Sequence, residues 1–137
     1  MNIDCFSVTF LPRKIKIYKM KDCHIIIQRD NIMCQTIVED EITVYKYISD
    51  DDGLYETHSI IFDPREYTII NIHEDVQGID HVGIVNYISG LFYKENIPLL
   101  YINTYSYNLI LISDDYIEQA KKILSTISIG VPSPHNK

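Results

Sequence analysis

The chain has 137 residues, 46% of them hydrophobic, and a formal net charge of -7. That length holds one domain, or two small ones sharing a core, and that apolar content argues against wholesale disorder. The acidic balance argues against a nucleic-acid binder, which needs clustered Lys and Arg to displace phosphate counterions.

The 11 tyrosines, the absence of tryptophan and the abundance of isoleucine favour strands, because branched and aromatic side chains pack well on a pleated surface. A sheet-rich α+β protein is expected. Residues 4–10, 14–20 and 41–48 read as strands. Within the last, Ile42, Val44, Tyr45, Tyr47 and Ile48 are set against polar Thr43 and Lys46. Arg13, Lys14, Lys16, Lys19 and Lys21 interleave with Ile15, Ile17, Tyr18 and Met20. They read as the solvated face of a strand, or as a weak site for an anionic partner. Residues 23–38 fit either a helix stripe or two strands broken at Arg29-Asp30-Asn31. The run Ser49-Asp50-Asp51-Asp52-Gly53 reads as an exposed turn. Residues 57–62 and 67–73 read as strands around Asp63-Pro64-Arg65-Glu66, with Pro64 suited to the second position of the turn.

The second half is clearer. Asp80 is placed to cap a helix whose stripe is Ile84, Ile88 and Leu91 with Val85 and Phe92 beside them. Asn96 suits a left-handed helix end and Pro98 follows. A strand over 98–103, a turn at Thr104-Tyr105-Ser106 and a return strand over 107–112 come next. Ser113 then caps a second helix, with Asp114 and Asp115 at its positive end and Lys121 and Lys122 near its negative end. Residues 127–131 supply a last strand, and the tail PSPHNK is expected to be mobile. This order is a ferredoxin-like βαββαβ module over 66–131. Residues 1–65 are its β-rich companion or a degenerate second module, and 132–137 are the tail.

Catalytic patterns are weak. Cys5, Cys23 and Cys34 are odd in number and lack metal-ligand spacing, which points to reduced thiols in the cytoplasm rather than a disulfide framework. The N-terminus carries no signal pattern and no apolar run spans a bilayer, so no membrane partner is expected. His73, Glu74 and His81 could be imagined around a metal, but their spacing matches no ligand signature. If their segment is a strand, Cys23 and His24 face opposite sides of it and cannot pair as nucleophile and base. Neither an enzyme nor a cofactor is expected.

Two blocks carry a resemblance. GIDHVGIVNYISGLFYKENIPLLYINTYSYNLILI (78–112) and HSIIFDPREYTIINI (58–72) resemble, in order, segments of the ACT module of CASTOR-type cytosolic arginine sensors and of related short bacterial ACT proteins. The resemblance implies a ferredoxin-like fold and a regulatory role. In that family a free amino acid meets the loop before the first helix and the turn after the next strand, between two modules. Carried over, the ligand-binding positions are Gly78, Ile79, Asp80, His81, Thr104, Tyr105 and Asn108. Gly78 stands at the family's loop glycine, and Thr104 and Tyr105 at its Thr-Phe. His81 and Asn108 stand where the arginine sensor has acids. A guanidinium wants charge-assisted acceptors, so a neutral amino acid suits these residues better than arginine.

Read from the residues alone, Gly78 lets backbone approach a ligand, and the helix start near Asp80–Gly83 offers free N–H groups to a carboxylate. Asp80 serves as a cap or pairs with a ligand ammonium. Gly83 serves close helix packing or the ligand. Thr104 and Ser106 are ordinary turn formers, and Tyr105 and Tyr107 suit sheet packing. One evident module per chain implies that a shared pocket forms by homodimerisation or with a partner protein. The competing class is an ACT-like interaction module without a ligand.

Overall fold

The computed structural model describes residues 6–20, 29–56, 60–74 and 81–127. The chain divides into two compact units, Met1–Pro12 with Thr68–Lys137, and Arg13–Tyr67. The second is therefore inserted into the first, and the chain's beginning belongs with its C-terminal half rather than with residues 13–65.

In the inserted unit, strands β2 (Ile15–Met20), β3 (Ile32–Val38), β4 (Glu41–Tyr47) and β5 (Ile61–Phe62) lie in the spatial order β5-β2-β4-β3. A single 3-10 turn, Arg29–Asn31, leads into β3. Of the two readings open over 23–38, a strand is present at β3, and 23–28 lie outside the described residues. The β3–β4 hairpin closes at the pair Val38–Glu41, with Glu39 at φ 55°, the left-handed backbone such tight reversals require. Tyr18, Met20, Val44 and Tyr55 form this unit's core, with Ile32, Ile42, Ile60 and Phe62 packed against it. The Tyr18 ring meets Tyr55 edge-on at 6.3 Å and Phe62 at 6.0 Å, geometries that favour aromatic pairs.

Two expectations change here. Lys46 is fully buried rather than on the polar face. Its Nζ donates to the Tyr47 carbonyl at 2.9 Å, to Ser49 Oγ at 2.6 Å and to Asp52 Oδ1 at 2.6 Å. The Asp50-Asp51-Asp52 run is therefore no simple solvated turn. Asp52 opens helix α1 (Asp52–Glu56) and supplies the counter-charge that a buried ammonium needs. The strand expected over 57–62 is short, with only Ile61 and Phe62 in β5, and 57–59 lie outside the described residues.

The other unit orders its strands β1-β6-β8-β7, from β1 (Phe6–Phe10), β6 (Tyr67–Glu74), β7 (Leu100–Asn103) and β8 (Asn108–Ser113). Helix α2 (His81–Lys94) joins β6 to β7. After β8 a 3-10 turn, Asp114–Tyr116, leads into α3 (Ile117–Ile127). β1 pairs antiparallel with β6, from Phe6 opposite Glu74 to Phe10 opposite Ile70, and Leu11 N–H donates to the Ile69 carbonyl at 2.9 Å. The edge expected for residues 127–131 is thus taken by β1. Ile127 instead closes α3, and 128–131 lie outside the described residues. Both helices pack on one face of the sheet. Val8, Ile70, Ile72, Ile110 and Ile112 from the strands meet Ile88 and Phe92 of α2 and Ala120 and Leu124 of α3, as the alternation of strands and the stripe of α2 dictate.

Helix α2 ends as its sequence requires. Asn96 has φ 57°. Its N–H donates to the Tyr93 carbonyl at 3.0 Å and Ile97 N–H to the Phe92 carbonyl at 3.0 Å, the paired bonds of a Schellman stop. Ile97 and Phe92 share the core, which supplies the apolar contact of that motif.

Candidate ligand site at one end of the sheet

Strand direction places the described part of the expected site. Thr68 Oγ1, at the start of β6, donates to Asp114 Oδ1, just past the end of β8, at 2.8 Å. β8 therefore runs antiparallel to β6. It also runs antiparallel to β7, from Leu100 opposite Leu111 to Asn103 opposite Asn108. β6 and β7 accordingly point the same way. The end of β6, the start of α2 and the turn between β7 and β8 share one end of the sheet.

At that end the turn is built by Thr104. Its N–H donates to the Tyr107 carbonyl at 2.9 Å, and its Oγ1 accepts from Tyr107 N–H at 2.9 Å and Ser106 N–H at 3.3 Å. The hydroxyl hydrogen remains as a donor. Tyr105 is fully exposed and Tyr107 half exposed, so neither ring packs the sheet as the sequence suggests. Asn108 is buried. The two-residue period of β8 puts it on the face of Ile110 and Ile112, the face the helices cover. His81 is the first residue of α2, whose opening turn carries N–H groups without intrahelical acceptors. Gly78, Ile79 and Asp80 lie outside the described residues, as does the side chain of His81. Thr104, Tyr105, Asn108 and the start of α2 thus gather at one end. Donors there suit a carboxylate, and Asn108 and the turn carbonyls suit an ammonium.

Sequence reasoning missed a polar row on the other face of β1 and β6. Ser7 lies opposite His73, and Thr9 opposite Asn71. Ser7, Thr9 and Asn71 are buried, and Thr9 Oγ1 and His73 Nε2 are 2.7 Å apart. Asn71 Oδ1 is enclosed and finds no hydrogen-bond partner among the described residues. The signal was present as Ser and Thr alternating with Phe and Val in β1, and as Asn and His alternating with Ile in β6.

Other sites offer less. An open groove of about 440 Å³ between α2 and α3 is lined by Leu91, Ile123, Lys94, Lys122 and Glu95, a mixed surface without convergent acids or bases. Among the described residues no three His, Cys, Asp or Glu side chains gather as a metal site. The Cys34 thiol is free and partly buried, and desolvation raises its pKa above the ordinary value. No described helix is long and apolar enough to cross a membrane.

Residues 64–126 match the ACT domain family. The fold is similar to that of a Vibrio cholerae protein of unknown function described as a possible transport protein, with a TM-score of 0.69, 8% identity and 93% of each chain covered. It is likewise similar to an Agrobacterium tumefaciens protein, with a TM-score of 0.69, 15% identity, and 97% of this chain and 98% of that one covered. A third similar structure is Clostridium acetobutylicum aspartate kinase, described as an allosteric enzyme, with a TM-score of 0.64 and 12% identity. That match covers 93% of this chain and 36% of the kinase. No curated protein matches the chain in sequence.

Proposed function

We propose that this protein, whose residues 64–126 match the ACT domain family, is a regulatory sensor that binds a free amino acid. The observation that carries this reading is the convergence of the α2 start with the Thr104 turn, which lie apart in sequence, at one end of one sheet. We assign the ligand to Gly78, Ile79, Asp80, His81, Thr104, Tyr105 and Asn108. The helix start takes the carboxylate, Asn108 and the turn carbonyls take the ammonium, and Tyr105 lies over the ligand side chain. The allosteric aspartate kinase among the similar structures supports a regulatory use of this fold.

His81 and Asn108 in place of acids favour a neutral amino acid over the arginine of CASTOR-type sensors. The strand order β5-β2-β4-β3 in the inserted unit is the last-first-third-second order of a ferredoxin-like sheet. That order supports a reduced second ACT module over 13–67. Ligand acts by population shift, stabilising one interface arrangement with a second copy or a partner protein over another. The free thiol of Cys34 suits a reducing cytoplasm.

A thermal-melting screen against the twenty amino acids tests this. A ligand at a hundredfold its Kd adds about 2.7 kcal/mol, which raises the Tm by roughly 5 to 10 °C for a chain of this size. One selective rise is expected. Twenty flat responses at millimolar ligand would sink the sensor reading.

A further inference from the structure

We propose that Ser7, Thr9, Asn71 and His73, on the sheet face away from α2 and α3, form a second binding site, for a small neutral ligand with an amide edge. Register places the four together. Ser7 pairs with His73 and Thr9 with Asn71 across β1 and β6, and side chains directly opposite have Cβ atoms about 4.5–5.5 Å apart. They alternate with Val8, Ile70 and Ile72, which meet the helices. Ser7 is 3% exposed, and Thr9 and Asn71 are 5% exposed. His73 is half-buried and stands one residue before β6 ends, so the row is reached from that end. On the same face lie Ile69 of β6 and Leu109 and Leu111 of neighbouring β8, all buried. A few placed polar groups among apolar walls is the composition of a small-molecule site.

Asn71 carries the inference. Its Oδ1 is enclosed, and no group donates to it among the described residues. Buried polar atoms are nearly always paired, because desolvation without a hydrogen bond costs stability. A rule of folding broken at one buried acceptor points to a function for that acceptor. An asparagine amide sets N–H donors beside its oxygen. Its complement is an N–H next to a C=O, the edge of another amide. Thr9 Oγ1 and His73 Nε2, 2.7 Å apart, share one hydrogen, which leaves Thr9 able to donate or accept further, as Ser7 can. Charge narrows the class. The row holds no Asp, Glu, Lys or Arg, and a buried charge without a counter-charge is costly, so the ligand is neutral. Open-chain carboxamides and lactam rings both present this edge.

The site is separate from the amino-acid site proposed above. A flat amino-acid screen leaves it standing, and a failed amide titration leaves the sensor reading standing. The labelled full chain is titrated with propionamide, an open-chain carboxamide, with uracil, a lactam, and with propionate, which has the shape of propionamide but a charge and no N–H. Concentrations run to about 50 mM, because so few atoms bind weakly. Saturable shifts of the Asn71 side-chain N–H signals and of the amides of residues 7–9 and 71–73 are expected with an amide and not with propionate. Response to propionamide alone assigns a carboxamide, and response to uracil alone a lactam. Asn71→Leu should abolish the response and raise the Tm of the ligand-free protein, because it removes a buried acceptor that lacks a donor. Asn71→Val, a smaller apolar replacement, should do the same and guards against overpacking. No saturable shift with either amide would overturn the proposal. So would a fall in Tm for both variants, which would show that Asn71 is paired in the ligand-free fold, as by an ordered water.

Discussion

Asp63 shows how one carboxylate can hold a turn. Its Oδ1 accepts from Arg65 Nε at 2.9 Å and from Arg65 N–H at 3.0 Å, and its Oδ2 accepts from Arg65 Nη2 at 3.0 Å and Tyr67 Oη at 2.6 Å. Bonds from Arg65, then from Tyr67, hold the Asp63 pKa at about 2, below the ordinary 3.8. Burial, then the Asp63 carboxylate, pushes the Tyr67 hydroxyl from 10.0 up to about 12. The lowered acid contributes stability that is complete above its unfolded value and is lost as pH falls from about 4 toward 2. The raised phenol contributes stability that is complete below about 10 and is lost as pH rises toward 12. Chemical denaturation of Asp63→Asn across pH should therefore show a flatter acid limb than the parent chain. An unchanged acid limb would show that the Asp63 bonds do not form. Lys46 makes a second case. Asp52 retains 13% of its side-chain exposure and Lys46 none, so Lys46→Ala strands a nearly buried carboxylate and should cost about 3 kcal/mol. Lys46→Met with Asp52→Leu removes both charges and should recover most of that loss, as a urea titration would measure. The sequence pattern hid this pair because a lysine at an alternating position normally marks the wet face. Only the bend of the chain after Tyr47 brings Asp52 back to it.

At the scale of elements, helices α2 and α3 and the β7–β8 hairpin were legible because their signals are local. Asn96 and Pro98 announce the end of α2, Ser113 announces the turn into α3, and Thr104 and Ser106 announce the reversal. Ser113 Oγ does accept from Asp115 N–H at 3.3 Å. Two substitutions probe α2 directly. A side-chain carbon built on Gly90 meets nothing within 4 Å, so Gly90→Ala should stabilise the protein by about 0.5–1 kcal/mol through lower backbone entropy in the unfolded chain. Asn96→Ala should cost about 1 kcal/mol, because alanine tolerates the left-handed stop poorly. Thermal melts of the two variants should shift in opposite directions. A strand's alternation, by contrast, states which face is buried and not which neighbour it pairs with. The pattern of FSVTF therefore located β1 but gave no sign that it completes the sheet beside β6, more than fifty residues away in the chain.

For the molecule as a whole, that same long-range pairing is why the division into units was not legible. The unit of Arg13–Tyr67 interrupts the other, and no run of Gly, Pro or polar residues marks the first crossing, since Pro12 and Arg13 lie between two strands. The framework of the proposed site was legible in part. The turn at Thr104 and the helix beginning at His81 are where the residues place them, and the buried row of Ser7, Thr9 and Asn71 was not foreseen, because each of its members is unremarkable alone. Tyr105 separates binding from stability most cleanly. Being fully exposed, it should change folding stability by no more than about 0.5 kcal/mol when replaced by alanine, yet Tyr105→Ala should weaken the ligand-induced rise in Tm. The proposed amino-acid site lies at the end of the sheet where α2 starts and β7 turns into β8. Amide chemical-shift mapping of the labelled protein, titrated with the amino acid that raises its Tm, tests it most directly. Saturable shifts concentrated at residues 78–82 and 104–108 are expected. Saturable shifts that leave both segments unmoved and gather elsewhere would contradict it.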